Sequence, residues 1–439
     1  MTLLIKGRVF ADGTVARRAV RIEDGVITDV AAADPGGSAQ TITLGDDQIL
    51  VPAGAETLAA MRDWAEAPRE TVETATMAAL GAGVTTLCDF SNTVPRLNTP
   101  ELIRRRSKFV AERSHVDFGI SGHPPIEPIH IHRYREAGAF SVQLFPWDLR
   151  PWNYSGDTDD SARQFGRFAA LGLSGLVFAD ESAFHQTSIW DQGETFALTA
   201  LLRRLVPGFK VRVMVTLPQS VDALLEAKER LPNLLIQVPM HSILMSRELA
   251  RERIGLGSTL APPLRSAETA ARMLEYALQG KIDILVSHHA PHRTVDKFCA
   301  DPIPGELTPK AGFSTIDFTF PLLMTRLGIA HACRLYCENP ARHLCLKKGV
   351  IAKGYEADLA IVEESFDNTV HNLHVAGSIS TAIWRVDPSD FYSKAIVSPF
   401  IGERLNYRVA KTFLRGREAY DRETRGFKRL PVRQIAAPG

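Results

Sequence analysis

FKVRVMVTLPQSVDALLEAKERLP, residues 209–232, sets the fold: a short β-branched apolar run, then a segment with helical spacing. The same alternation recurs on both sides. It appears as GVTTLCDFS before TPELIRRRSKFVAERS, as FSVQLFP, SGLVFAD and LLIQVPM, and as SAETAARMLEYALQGK before IDILVSHHAPH. Repeated strand–helix alternation predicts parallel βα units, and eight such units close a barrel of roughly 250 residues. Residues 51–345 fit a TIM-type (β/α)8 barrel. Outside them the pattern changes to short strands. LLIKGRVF, RRAVRIEDGVITDVA and QTITLGDDQILVP are punctuated by DG, DG and PGG turns, and strand-like runs return in GVIAKGYEADLAIVE and ERLNYRVAKTFLRGREAYD. A small β-sandwich built from both chain ends, residues 1–50 and 346–439, is the expectation, with a basic tail over Arg415–Arg433.

Composition narrows the function. Lysine and arginine number 51 against 50 aspartates and glutamates, for a net charge of +1. That balance supplies no general field for nucleic acid or an anionic membrane. No apolar run approaches the roughly 20 residues of a membrane helix. The start, MTLLIKGRVFADG, lacks a leader pattern, and five cysteines is few, so a reduced cytoplasmic setting is expected. Cys333 and Cys337 lie four apart with no second pair following, which reads as buried thiols rather than a metal site.

Six segments in order carry a family resemblance: LVPAGAE (50–56), GAGVTTLCDFSNTVP (81–95), APPLRS (261–266), GKIDILVSHHAPH (280–292), ENPARHLCLKKGVIAKGYEADLAIVE (338–363) and SPFIGERL (398–405). Together they resemble the dihydroorotase branch of the amidohydrolase superfamily over nearly the whole chain. The resemblance implies a TIM-type barrel with one or two zinc ions at its C-terminal mouth. Bound zinc lowers the pKa of water from 15.7 to about 7, which supplies hydroxide for opening a cyclic amide.

The ligand positions that the resemblance implies hold the wrong residues. The H-x-H pair falls on Leu58 and Ala60 in PAGAETLAAMR, and the carbamylated lysine on Gln143 in GAFSVQLF. The fifth-strand histidine falls on Phe178 in VFAD, the sixth-strand histidine on Thr216 or Leu217 in VTLPQS, and the aspartate of D-H-A-P-H on His288 in SHHAPH. Catalytic zinc takes about three protein ligands, and one histidine does not supply them, so no zinc cofactor is expected. His130 and His132 form an H-x-H elsewhere, in IHIH before the fourth strand, and read as a loop pair. His123, in SGHPP, is a further histidine placed to face the mouth.

Three other positions keep the residue types that the resemblance assigns to holding a substrate carboxylate: Arg62, Asn92 and His292. Their alternative reading is loop-shaping. FPWDLRPWNYSGD (145–157) is an aromatic, proline-rich loop unlike the family pattern, suited to plugging the mouth, forming an interface or simple packing. Cys299, Ser287 and Ser91 are candidate nucleophiles close to the HHAPH histidines or the N-T-x-P segment, and no G-x-S-x-G elbow supports them.

Three functions therefore stand. The first is a non-catalytic homologue, most similar to the zinc-ligand-less dihydroorotase-like chains that assemble with aspartate transcarbamoylase, or a homo-oligomeric scaffold. The second is an amidohydrolase with a rebuilt or metal-independent site for a carboxylated cyclic amide or ureide. The third is a small-carboxylate binder.

Overall fold

The computed structural model describes residues 2–32, 40–125, 128–145, 159–179, 190–298, 309–365 and 384–437. The expected barrel is present. Eight strands, β6 Gly54–Ala59, β7 Val84–Asp89, β8 Asp117–Gly122, β9 Ala139–Leu144, β10 Ser174–Phe178, β11 Val211–Met214, β12 Leu234–Pro239 and β13 Ile284–Val286, pair in parallel in sequence order. The ring closes where the Ala60 N–H donates to the His289 carbonyl at 2.7 Å. Nearly every barrel-strand residue is buried, which is why these strands read as continuous apolar runs rather than alternating ones.

Helices between the strands start where capping side chains sit. Thr99 accepts from the Leu102 N–H ahead of helix Pro100–Ala111, and Ser266 accepts from the Thr269 N–H ahead of helix Ala267–Leu278. Pro218 opens helix Pro218–Ala227, where its missing N–H costs nothing.

Both chain ends build the second domain, as expected. β1 Thr2–Ala11, β2 Thr14–Glu23, β3 Val26–Ala31, β4 Gln40–Thr43 and β5 Gln48–Pro52 join β14 Leu359–Glu364, β17 Tyr407–Leu414, β18 Arg417–Asp421 and β19 Gly426–Phe427 in one nine-stranded sheet. The short strands β15 Trp384–Arg385 and β16 Arg404–Leu405 pair separately. The seam between the two ends is antiparallel β5–β14, from Pro52 opposite Leu359 to Gln48 opposite Glu363. Asp12–Gly13 and Asp24–Gly25, both dipeptides at positive φ, turn the first two hairpins.

Arg415–Arg433 is not a free tail. It includes β18 and β19, Arg415 pairs with Asp117 and Arg433 with Glu356, and the Phe118 N–H donates to the Arg433 carbonyl. Among the described residues no helix is long and apolar enough to cross a membrane.

Candidate functional site at the barrel mouth

Leu58, near the end of β6, and Phe178, at the end of β10, lie in an apolar cluster that fills the barrel interior up to its mouth. Leu58 and Phe178, 1% and 4% exposed, belong to one cluster with Leu176, Met214, Ile284 and Val286, and Phe90, Phe145 and Leu235 pack against it. The Phe178 and Phe145 rings stack at 4.7 Å, and Phe90 meets both edge-on at 5.7 and 6.0 Å. Ala60 contributes the backbone bond that closes the ring. Gln143 is fully buried, and its Oε1 accepts from the Ser91 N–H at 2.7 Å. Its Nε2 finds no partner among the described residues.

Just past the end of β11, Thr216 and Leu217 bind one carboxylate. Both their N–H groups donate to Glu194 at 3.0 Å, and so does the Thr216 hydroxyl. Arg265, from the APPLRS segment, donates to Thr216 Oγ1 at 2.8 Å and pairs with Glu194 at 3.0 Å. Glu194 and Arg265 are both fully buried, so each depends on the other for charge compensation.

His288, at φ +49, faces Phe178 at 6.2 Å and His241 at 5.4 Å between ring centres. Burial, and then the nearby Arg62 charge, pushes its pKa down to about 4. His241 is also fully buried and stays neutral well below its usual range, and neither of its ring nitrogens has a partner among the described residues.

A base whose folded pKa lies below 6.5 leaves the unfolded state with more bound protons between pH 4 and 6.5. His288 therefore leaves stability intact above pH 6.5 and lowers it as pH falls through that window, by roughly 3 kcal/mol at about 1.4 kcal/mol per pKa unit. Asparagine tolerates the left-handed backbone and does not titrate. His288→Asn should remove that share of the acid-side loss, measured as urea midpoints from pH 7 to 4. Equal slopes for the two proteins would contradict it.

His289 has a structural role. Its Nδ1 accepts from the Thr315 and Ile316 N–H groups at 3.1 and 3.3 Å, so the proton sits on Nε2, 3.5 Å from Glu70. His123 lies 6.2 Å from the Phe145 ring, and burial lowers its pKa to about 4. His130 and His132 lie on the short turn Pro128–Arg133, with His132 exposed.

Arg62 and His292 meet. The Arg62 guanidinium lies 3.1 Å from His292 Nε2 and 3.0 Å from Glu66, and is 5% exposed. His292 Nε2 also lies 3.0 Å from the Ala311 carbonyl, so that nitrogen either donates there or accepts from Arg62. Burial and the adjacent cations hold the imidazole neutral, down to about pH 2. Arg62, Asp63 and Trp64 run consecutively at φ +47, +68 and +51, a strained stretch that persists only because its surroundings enforce it. Asp63 does part of this, accepting from the Trp64 and Val72 N–H groups. Asn92 is half-buried and hydrogen-bonded to neither Arg62 nor His292.

The two serine candidates do not pair with a histidine side chain. The Ser287 hydroxyl accepts from the His289 backbone N–H, the Ser91 hydroxyl has no partner among the described residues, and neither bonds an imidazole. Cys299 and residues 146–157 of the aromatic loop lie outside the described residues. Cys333 and Cys337 are buried free thiols on the helical stretch after residue 328.

Among the described residues one acidic cluster has metal-like spacing, Asp117, Glu356 and Asp358. It lies at the opposite end of the barrel, where Asp117 begins β8. Lys348 already binds Asp117 and Asp358 there, at 2.8 and 2.7 Å.

Sequence reading missed Glu66, Glu194, Arg265 and His241 as members of this site. For Arg265 a signal existed in APPLRS, and for His241 in the histidine directly after the β12 run. Glu194 had none, because its partners lie 22 and 71 residues away.

Residues 320–417 match the sequence profile of the amidohydrolase family. A dihydroorotase of Thermococcus kodakarensis is 25% identical over 421 residues, covering 94% of this chain and 93% of that one. A dihydroorotase of Anaplasma phagocytophilum is 26% identical, covering 89% and 88%. Among solved structures, the L-hydantoinase (dihydropyrimidinase) of Arthrobacter aurescens superposes with a TM-score of 0.82 at 21% identity, covering 99% of both chains. The dihydropyrimidinase of Brevibacillus agri gives 0.80 at 15% identity, covering 99% and 98%.

Proposed function

We propose that this chain, an amidohydrolase-family protein with dihydroorotase and hydantoinase homologues, no longer hydrolyses a cyclic amide and serves as a non-catalytic subunit of a protein assembly. The partner proposed first is an aspartate transcarbamoylase. The observation that carries the reading is the plug: Leu58 and Phe178 stand in ligand positions and pack with Phe145, Phe90, Met214 and Val286. A divalent ion set among hydrocarbon side chains would lose its hydration without gaining donor atoms in return. The residues present do not fit the zinc centre of the family. Leucine, alanine and phenylalanine offer no lone pair, and the Gln143 carbonyl already holds the Ser91 N–H.

A second reading, binding of a small carboxylate, is favoured by the contact between Arg62 and His292 and by the strained backbone that presents Arg62. A rebuilt amidohydrolase is the outcome that would overturn both.

The test is turnover. The purified chain is assayed against dihydroorotate and a panel of hydantoins at neutral pH, with and without added zinc, alone and mixed with aspartate transcarbamoylase. The expected result is no hydrolysis above the blank in any arm, with co-elution of the two proteins on size exclusion. Hydrolysis that is lost on chelation would contradict the non-catalytic reading.

A further inference from the structure

Arg62 and His292 meet at the mouth as a cation and a neutral imidazole, and a third group is already there. Glu66 Oε1 accepts from Arg62 at 3.0 Å and from Arg69 at 3.2 Å. Glu66 is buried, and its Oε2 has no partner among the described residues. Arg69 is in turn fixed by both oxygens of Asp296, each at 3.2 Å, from the short helix Thr294–Phe298 that follows His292. The three residues at positive φ, Arg62 to Trp64, fold the chain back so that Glu66 lands on its own arginine four positions earlier.

We propose that Glu66 is a tethered carboxylate ligand. It fills an anion site formed by Arg62 and Arg69 beside His292, so the intact protein leaves no room there for a free carboxylate. This rests on reading Arg62 and His292 as a carboxylate clamp, and it selects between the two proposed functions, because a filled clamp binds nothing. The geometry has a physical rationale. The Arg62 guanidinium, 5% exposed, needs a countercharge, and a carboxylate on the same loop supplies one without the entropic cost of capturing a free ion. The site's chemical class is therefore a small monocarboxylate such as formate or acetate, accepted only once the tether is cut.

The experiment is chemical rescue. Glu66→Gly should melt several degrees below the intact protein in sodium chloride. Sodium formate or acetate at equal ionic strength should restore much of that loss along a saturating curve. Glu66→Gln should melt lower and show no rescue, because the amide fills the space. Glu66→Gly combined with Arg62→Gln should lose the rescue as well.

A Glu66→Gly loss that formate, acetate and chloride relieve equally would overturn the proposal. So would a saturable thermal shift of the intact protein with acetate, dihydroorotate or carbamoyl aspartate, and that arm needs no variant to fold. Neither result bears on turnover, so failure here remains distinct from failure of the non-catalytic reading.

Discussion

Phe178→Ala should lower folding stability by roughly 3–5 kcal/mol, the range for deleting a buried aromatic ring. The ring is 4% exposed, stacked on Phe145 at 4.7 Å and flanked by Phe90 at 5.7 Å. It projects from the end of a strand hydrogen-bonded on both sides, to β9 and β11. The neighbouring strands therefore cannot close over the void, and the cavity contribution should be near its full size. Leu58→Ala, in the same cluster, should cost roughly 2–5 kcal/mol. Urea unfolding of both variants checks this, as the change in midpoint at constant slope. In a hollow, solvated active site the same truncations would cost little. Losses under about 1 kcal/mol would mean that the mouth is not a packed core and that hydrocarbon packing does not keep a metal out.

The second large effect lies at the other end of the barrel. Lys348→Met should cost roughly 3–5 kcal/mol, because it leaves two buried carboxylates short of their shared cation. The Lys348 ammonium donates to Asp117, Asp358 and the Thr86 hydroxyl at 2.8, 2.7 and 3.1 Å. Asp117 keeps Arg415, so Asp358 should suffer more. Burial alone would lower the Lys348 pKa, but Asp358 and Asp117 outweigh it and hold the pKa above 10.5. The stability linked to this lysine is thus fully present below pH 10.5 and lost as pH rises through the folded value. Burial pushes the Asp117 carboxyl up, yet Lys348 and Arg415 prevail and hold it below 3.8. Its share is present above that pH and lost as pH falls. Lys348→Met should therefore be less stable at pH 7 and flatter at the alkaline end. An unchanged urea midpoint would show that the lysine is not buried in this pair.

The parts of the fold legible in sequence were those set by local pattern. The quoted apolar runs became β7 and β9 through β13, and the two Asp–Gly pairs turned the hairpins, whereas β8, with glycine at two of its six positions, showed no such run. The places of Leu58, Gln143 and Phe178 on β6, β9 and β10, and of Ala60 just past the end of β6, were legible too. Their environment was not. That Leu58 and Phe178 touch the same cluster follows from barrel closure, which joins residues 120 positions apart. The capture of Arg62 by Glu66 was also hidden, although only four residues separate them, since it depends on three consecutive residues adopting positive φ. No composition rule assigns that backbone to Arg-Asp-Trp.

Leu58 and Phe178 put hydrocarbon at the barrel mouth, which should leave it without affinity for zinc. Zinc content measures it most directly. The chain is incubated with excess zinc, passed through a desalting column and assayed by elemental analysis. Far less than one zinc per chain is expected, unchanged by Phe178→Ala. One or two zinc ions per chain, retained through the column and removed by chelation together with hydrolysis of dihydroorotate, would contradict it.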